Sequence, residues 1–193
     1  MSKRWYALLT VLALATGCAT APEPGSRAIL DTQTGNTLLL ATRPLVFARH
    51  RTDVAAEYAR DYVTLVAVEL DVAGRYSDYL LLYRWSTVDT RMSPLPGPAS
   101  GTLQIEADGR NLVLRPLARP PVDAVGRDDL YYPAHAEVVT YGYQVDVATL
   151  RFIALSRGIS VRMPQDALDI PFELREDGRA SLAEFVKNEG VAK

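Results

Sequence analysis

His50 and His135 are the only imidazoles in the chain, so acid–base and metal chemistry must be judged first by what surrounds them. Nucleophilic catalysis needs a nucleophile, a base within hydrogen-bond reach and a donor for the developing oxyanion. No serine lies in a Gly-x-Ser-x-Gly turn, and a Ser-His-Asp triad would have to be assembled from distant parts of the chain. His50 sits between Arg49 and Arg51, where positive charge opposes a cation. His135 has Glu137 two residues on, on the same face of an extended segment, but a third ligand is missing and the pair reads as surface. Asp128-Asp129 and Asp166/Asp169 lack the Asp-x-Asp-x-Asp-Gly spacing of a calcium loop. Glu69 and Asp71 would place two carboxyls roughly 7 Å apart on one strand face, a separation that glycoside hydrolysis uses. Any strand with a solvated end has the same spacing, and that is the expectation here. No metal and no cofactor is expected.

Tyrosine is the remaining lead. Nine of the ten tyrosines follow residue 17, among them Tyr76, Tyr79, Tyr83, Tyr131, Tyr132, Tyr141 and Tyr143. Their rings suit protein interfaces and sugar faces, but tyrosine is also a good strand former. Tyr131 and Tyr132 differ from the others because they fall in a polar stretch with Asp128 and Asp129. That stretch opens at Pro116, Pro120 and Pro121 and runs to Pro133. A loop of this length in a compact domain is functional or mobile, which makes it the first candidate contact surface.

The only cysteine has a different setting. Lys3 and Arg4 precede an apolar run over 5–15, and Thr16-Gly17 leads into Cys18, the three-part layout of a secretory signal. A run of at most eleven residues is too short for a bilayer-spanning helix, which takes about 20 residues. Ala13-Leu14-Ala15 and Ala19-Thr20-Ala21 leave open an ordinary cleavage site. Leu14-Ala15-Thr16-Gly17-Cys18 resembles the lipobox of bacterial lipoproteins, with Ala15 where that family prefers Leu, Val or Ile. The resemblance implies cleavage before Cys18, acyl chains on its sulfur and an anchor in the membrane. Ala19 stands where, in diderm bacteria, an aspartate tends to retain lipoproteins on the inner membrane, and the resemblance therefore implies the outer membrane, facing the periplasm or occasionally the surface. Two or more acyl chains hold stably, because each buried CH₂ contributes about 0.8 kcal/mol.

Composition bounds the rest. Past residue 17 the chain has 19 basic and 23 acidic residues, a net charge of −4, which gives no basic surplus for nucleic acid. Eighteen of the 21 basic residues are Arg, but they are scattered, which fits solvated faces better than an anion clamp. The expected organisation is a signal peptide over 1–17, the lipidated cysteine and a tether over 18–26, and one globular β-rich domain over 27–193.

The elements that must position these residues follow from period-two patterning. Residues 37–40 and 45–49 read as strands broken by Pro44, and 52–60 as one or two helical turns. Residues 62–72 and 76–88 form the clearest strand pair, turned by Ala73-Gly74-Arg75. Along the first of them Tyr62, Thr64, Val66, Val68, Leu70 and Val72 read as the core face, while the other face, which passes from Val63, Leu65 and Ala67 to Glu69 and Asp71, reads as covered only near its start. Residues 103–107 and 112–114 form a hairpin around Asp108-Gly109, the favoured type I′ pair. After the long loop, 134–145 returns as a strand, and Asp146 caps a helix over 147–157 that Gly158 ends. Residues 159–163 and 168–174 alternate as strands. Ser181-Leu182-Ala183-Glu184 matches a capping box before a short helix that buries Leu182, Phe185 and Val186.

The sum is a mainly β fold, an antiparallel sandwich or barrel-like domain with a helix inserted late and a short C-terminal helix. The leading functional expectation is a membrane-anchored envelope lipoprotein that acts as an interaction or assembly module for another envelope protein. The alternative is a hydrolase or glycan-binding module directed at the cell wall or a polysaccharide.

Overall fold

The computed structural model describes residues 25–32, 34–52, 55, 57–88, 101–119, 138–164 and 170–189. These contain ten strands: β1 (Ser26–Leu30), β2 (Thr37–Ala41), β3 (Leu45–His50), β4 (Arg60–Val72), β5 (Arg75–Ser86), β6 (Leu103–Ala107), β7 (Arg110–Leu114), β8 (Val139–Val145), β9 (Ile159–Arg162) and β10 (Phe172–Glu176). Two helices join them, α1 (Val147–Leu155) and α2 (Arg179–Glu189). The fold is mainly β, with one helix late in the chain and one C-terminal.

All pairings are antiparallel, and β4 is the hub. Along one edge its first half takes β3, with Leu45 opposite Leu65 and His50 opposite Arg60. Its second half takes β2, with Leu40 opposite Val68 and Thr37 opposite Asp71. Its other edge carries β5 from end to end, followed by β8. From β3 the sheet continues through β10, β9, β6 and β7, and β1 lies outside β2.

This single sheet folds over on itself. One core cluster takes Phe47 from β3, Val63 and Leu65 from β4, Leu80 and Leu82 from β5, Ile105 from β6, Val161 from β9 and Phe172 from β10. Leu150 and Ile153 of α1 and Leu182, Phe185 and Val186 of α2 close it. Burying side chains of this size stabilises by about 1.5–3 kcal/mol each. The buried Tyr143 of β8 donates its hydroxyl to the Gly101 carbonyl at 2.6 Å, bringing β8 to the start of β6. Gly101 is required there, since its φ is +62° and a Cβ would lie 2.3 Å from the Tyr141 ring.

A smaller cluster, Leu38, Leu40, Val66, Val68, Leu81 and Tyr83, occupies the opposite face of β2, β4 and β5. The larger core therefore lies on the face of Val63, Leu65 and Ala67, not on the face of Val66 and Val68 that the alternation favoured. Burial of Glu69 at 5 % exposure hid this, because its charge makes the face look solvated.

Several local expectations change. Residues 57 and 58 form a turn and Arg60 already belongs to β4, so no helix occurs among the described residues of 52–60. Helix α1 is capped by Asp146, which accepts the Thr149 N–H at 2.7 Å, but it ends at Leu155. Ser156 stops it by turning both its N–H and its hydroxyl to the Ile153 carbonyl, before Gly158 is reached. Ser181 makes no capping box, because α2 begins two residues earlier. Its hydroxyl instead accepts the Arg43 N–H at 3.0 Å and donates to the Gly25 carbonyl at 2.9 Å. Gly25 also accepts the Thr42 N–H, and Ser26 opens β1, so the last two residues of the expected tether belong to the fold.

Candidate functional site

Cys18, Asp128, Asp129, Tyr131 and Tyr132, the residues singled out for lipidation and contact, lie outside the described residues, as do His135, Glu137, Asp166 and Asp169. His50 ends β3 and pairs its Nε2 with the Glu57 carbonyl at 2.9 Å, an arrangement that pins a turn. Glu69 and Asp71 share a face of β4. Asp71 accepts the Gly74 N–H at 2.7 Å and shapes the β4–β5 turn. Glu69 stands opposite Asp78 of β5, and both are nearly enclosed, at 5 % and 8 % exposure. Among the described residues no group of three or more His, Cys, Asp or Glu is placed to hold a metal.

Sequence reading missed a cluster of buried charge at the other end of the same face. Asp61, fully buried, receives Arg49 Nη2 at 3.0 Å, with Arg51 Nε at 3.8 Å and Arg84 Nη2 at 4.0 Å. All three guanidinium side chains are 1 % exposed, and that of Arg49 also lies over the Phe172 ring at 4.3 Å. The signal was present in the alternation. Arg49 continues the face of Leu45 and Phe47, Asp61 that of Val63 and Leu65, and Arg84 that of Leu80 and Leu82. Buried charges must be paired, so opposite charges at core positions of neighbouring strands predict each other. Closed from solvent, this cluster fixes how β3, β4 and β5 meet; it offers no entry to a ligand.

The open surface lies at the β6–β7 hairpin. Asp108 and Gly109 have φ of +48° and +77°, the two left-handed residues of a type I′ turn. The Asp108 carboxylate accepts the N–H groups of Arg157 and Gly158 beyond the end of α1, at 2.9 and 3.0 Å. These bonds, that from Gly158 first, hold its carboxyl below the usual carboxylate value. Arg110 spreads over the Phe152 ring of α1 at 5.1 Å. Past the strand, Leu117 donates its N–H to the Gly142 carbonyl of β8 at 2.8 Å. The hairpin is thereby held at its tip and at its exit.

Between those anchors β7 is the end of the sheet path, and among the described residues it pairs with β6 alone. In a two-residue hairpin Ala107 and Arg110 bond each other, and every second pair after them does the same. The alternation turns the N–H and C=O of Asn111 and Val113 away from β6. Both residues are exposed, Val113 to 55 %. Arg115 and Arg119, also exposed, follow as the chain leaves toward residue 120, the stretch singled out for contact. An edge of this kind can take up an extended polypeptide.

Among the described residues no helix is long and apolar enough to cross a membrane. No family model, no curated protein and no solved structure matches this chain.

Proposed function

We propose that this chain is a bacterial envelope lipoprotein, tethered through Cys18 to the outer membrane and facing the periplasm, whose β-domain serves as an interaction or assembly module for another envelope protein. One observation carries the reading: Leu14-Ala15-Thr16-Gly17-Cys18 follows an apolar run of eleven residues behind Lys3 and Arg4. Acyl chains on the sulfur turn a domain with ordinary surface charge into a resident of the membrane surface. Residues 19–24 then act as spacer, at most about 20 Å when extended at ~3.3 Å per residue. A module held at that height meets other envelope proteins in two dimensions, which raises its effective concentration toward them.

Contact is assigned to the loop 116–133 with Asp128, Asp129, Tyr131 and Tyr132, together with the strand edge that leads into it. The support is their adjacency in the chain: β7 and its exit through Arg115 deliver the polypeptide to that loop. Crosslinking in the intact envelope tests the reading. With both Tyr131→Ala and Tyr132→Ala in place, partner crosslinks should be lost while folding and fractionation stay unchanged. Retention of every partner would refute the role of the loop, and recovery of the Cys18→Ser protein in the membrane fraction would refute the anchor.

A further inference from the structure

We infer that the outer edge of β7 is a docking strand, which receives an extended acidic segment of a partner protein as an additional antiparallel strand. The inference rests on the interaction-module reading and deepens it, naming the surface and the chemistry of what binds there.

The geometry begins with the four outward groups, the N–H and C=O of Asn111 and of Val113. A strand laid antiparallel beside them completes up to four ladder bonds without moving the hairpin. Natural proteins commonly blunt such edges with proline, a bulge or a cover. The β6–β7 register runs without a shift from Ala107–Arg110 to Leu103–Leu114, and Pro116 comes only after the strand. The hairpin is also rigid in advance, through Asp108 on the two N–H groups beyond α1 and Leu117 on β8. A docking strand that is already ordered loses little freedom on binding.

Charge selects the occupant. Arg110, Arg115 and Arg119 are exposed along this edge and its exit, and among the described residues no ion pair joins any of them to a carboxylate. A second copy pairing through its own β7 would bring Arg110 and Arg115 of one copy close to those of the other. Like charges set across a strand pair are unfavourable, whereas a segment with an apolar residue over Val113, one carboxylate toward Arg115 on that face and another toward Arg110 on the Phe152 face would meet both arginines. The expected ligand is therefore an extended run with Asp or Glu at its ends and an apolar centre.

The test places a photoreactive benzophenone side chain at position 111 of the full-length protein, in the cell that makes it, with the crosslinked peptides mapped by mass spectrometry. Val113→Pro is the discriminating variant: it deletes one outward N–H and leaves every β6–β7 bond in place, which edge strands tolerate. Loss of one such bond corresponds to roughly a 2- to 10-fold drop in crosslinking yield. Arg115→Glu with Arg119→Glu, at positions outside the packed core, should lower the yield by about as much and covers the case in which the proline variant is unstable. Crosslinks to one acidic segment of another protein that respond to both changes support the inference. Crosslinks to a second copy, or crosslinks indifferent to both changes, overturn it. Silence at position 111 with active crosslinking at Tyr131 and Tyr132 sinks the β7 edge alone, and silence at all three sinks the interaction-module reading with it.

Discussion

Removing the Asp61 carboxylate should destabilise the domain more than any surface change. Asp61 is fully buried and accepts the Arg49 guanidinium at 3.0 Å, with Arg51 and Arg84 within 4.0 Å. Asp61→Ala deletes the anion and leaves the guanidinium groups in a space water does not reach. Breaking a buried pair in this way costs about 3–5 kcal/mol. The Phe172 ring lies under Arg49 with or without the carboxylate, so this cation–π contact cancels from the difference. For a domain of this length each kcal/mol moves the melting temperature by about 2–4 °C, so the expected loss is roughly 6–20 °C. The measurement is urea and thermal unfolding of the variant beside Lys187→Ala, which removes an ion pair whose partners are 69 % and 51 % exposed. The latter should shift stability by at most about 1 kcal/mol. One molar salt should erase the Lys187 effect and leave the Asp61 effect intact, because a buried pair is poorly screened. An Asp61→Ala loss of under about 1 kcal/mol, or one that salt abolishes, would refute the assignment of this cluster as the lock between β3, β4 and β5.

Acid should weaken the fold through three carboxyls held below their ordinary value of 3.8: Asp146 by the bond from Thr149, Asp177 by Arg179 and Asp108 by the Gly158 N–H. A lowered carboxyl contributes its full stability above the unfolded value and loses it as pH falls through the folded one. The urea midpoint should thus stay level from neutral pH to about 5 and decline below about 4. Asp146→Ala should cost about 0.5–2 kcal/mol at pH 7 and much less at pH 2; equal costs at both would count against the cap. Gly101→Ala should be more damaging than Gly109→Ala, although both have positive φ. The first drives a Cβ to 2.3 Å from the Tyr141 ring, while the second meets nothing within 4 Å and carries only the conformational cost, about 1–2 kcal/mol. Urea midpoints of the two variants measure the difference, and equal losses would place the ring elsewhere.

Period-two alternation revealed most of the sheet, because a strand with one buried face writes its burial into every second residue. The β4–β5 and β6–β7 pairs followed from it, and Asp108-Gly109 fixed the second register, since a type I′ turn needs two left-handed residues. Strand β1 stayed hidden: Ser-Arg-Ala-Ile-Leu has no clean alternation, and its place is set by pairing with β2. Which face of β4 holds the larger core was misread for a tertiary reason. Glu69 and Asp61 are buried because neighbouring strands supply their surroundings, and a single-strand pattern prices any charge as solvated. The Asp61 cluster was legible only by comparing three strands at once, with Arg49, Asp61 and Arg84 each standing where a core residue was due. The β7 edge followed from the hairpin itself once its place at the end of the sheet was known.

Whether acyl chains hold this protein on the membrane can be read from the mass of the amino-terminal peptide released from the mature protein. The expected peptide begins at Cys18, carries a diacylglyceryl thioether, usually with a further acyl chain on its amino group, and partitions into detergent. A peptide beginning elsewhere, or one beginning at Cys18 with an unmodified thiol, would contradict the acyl anchor.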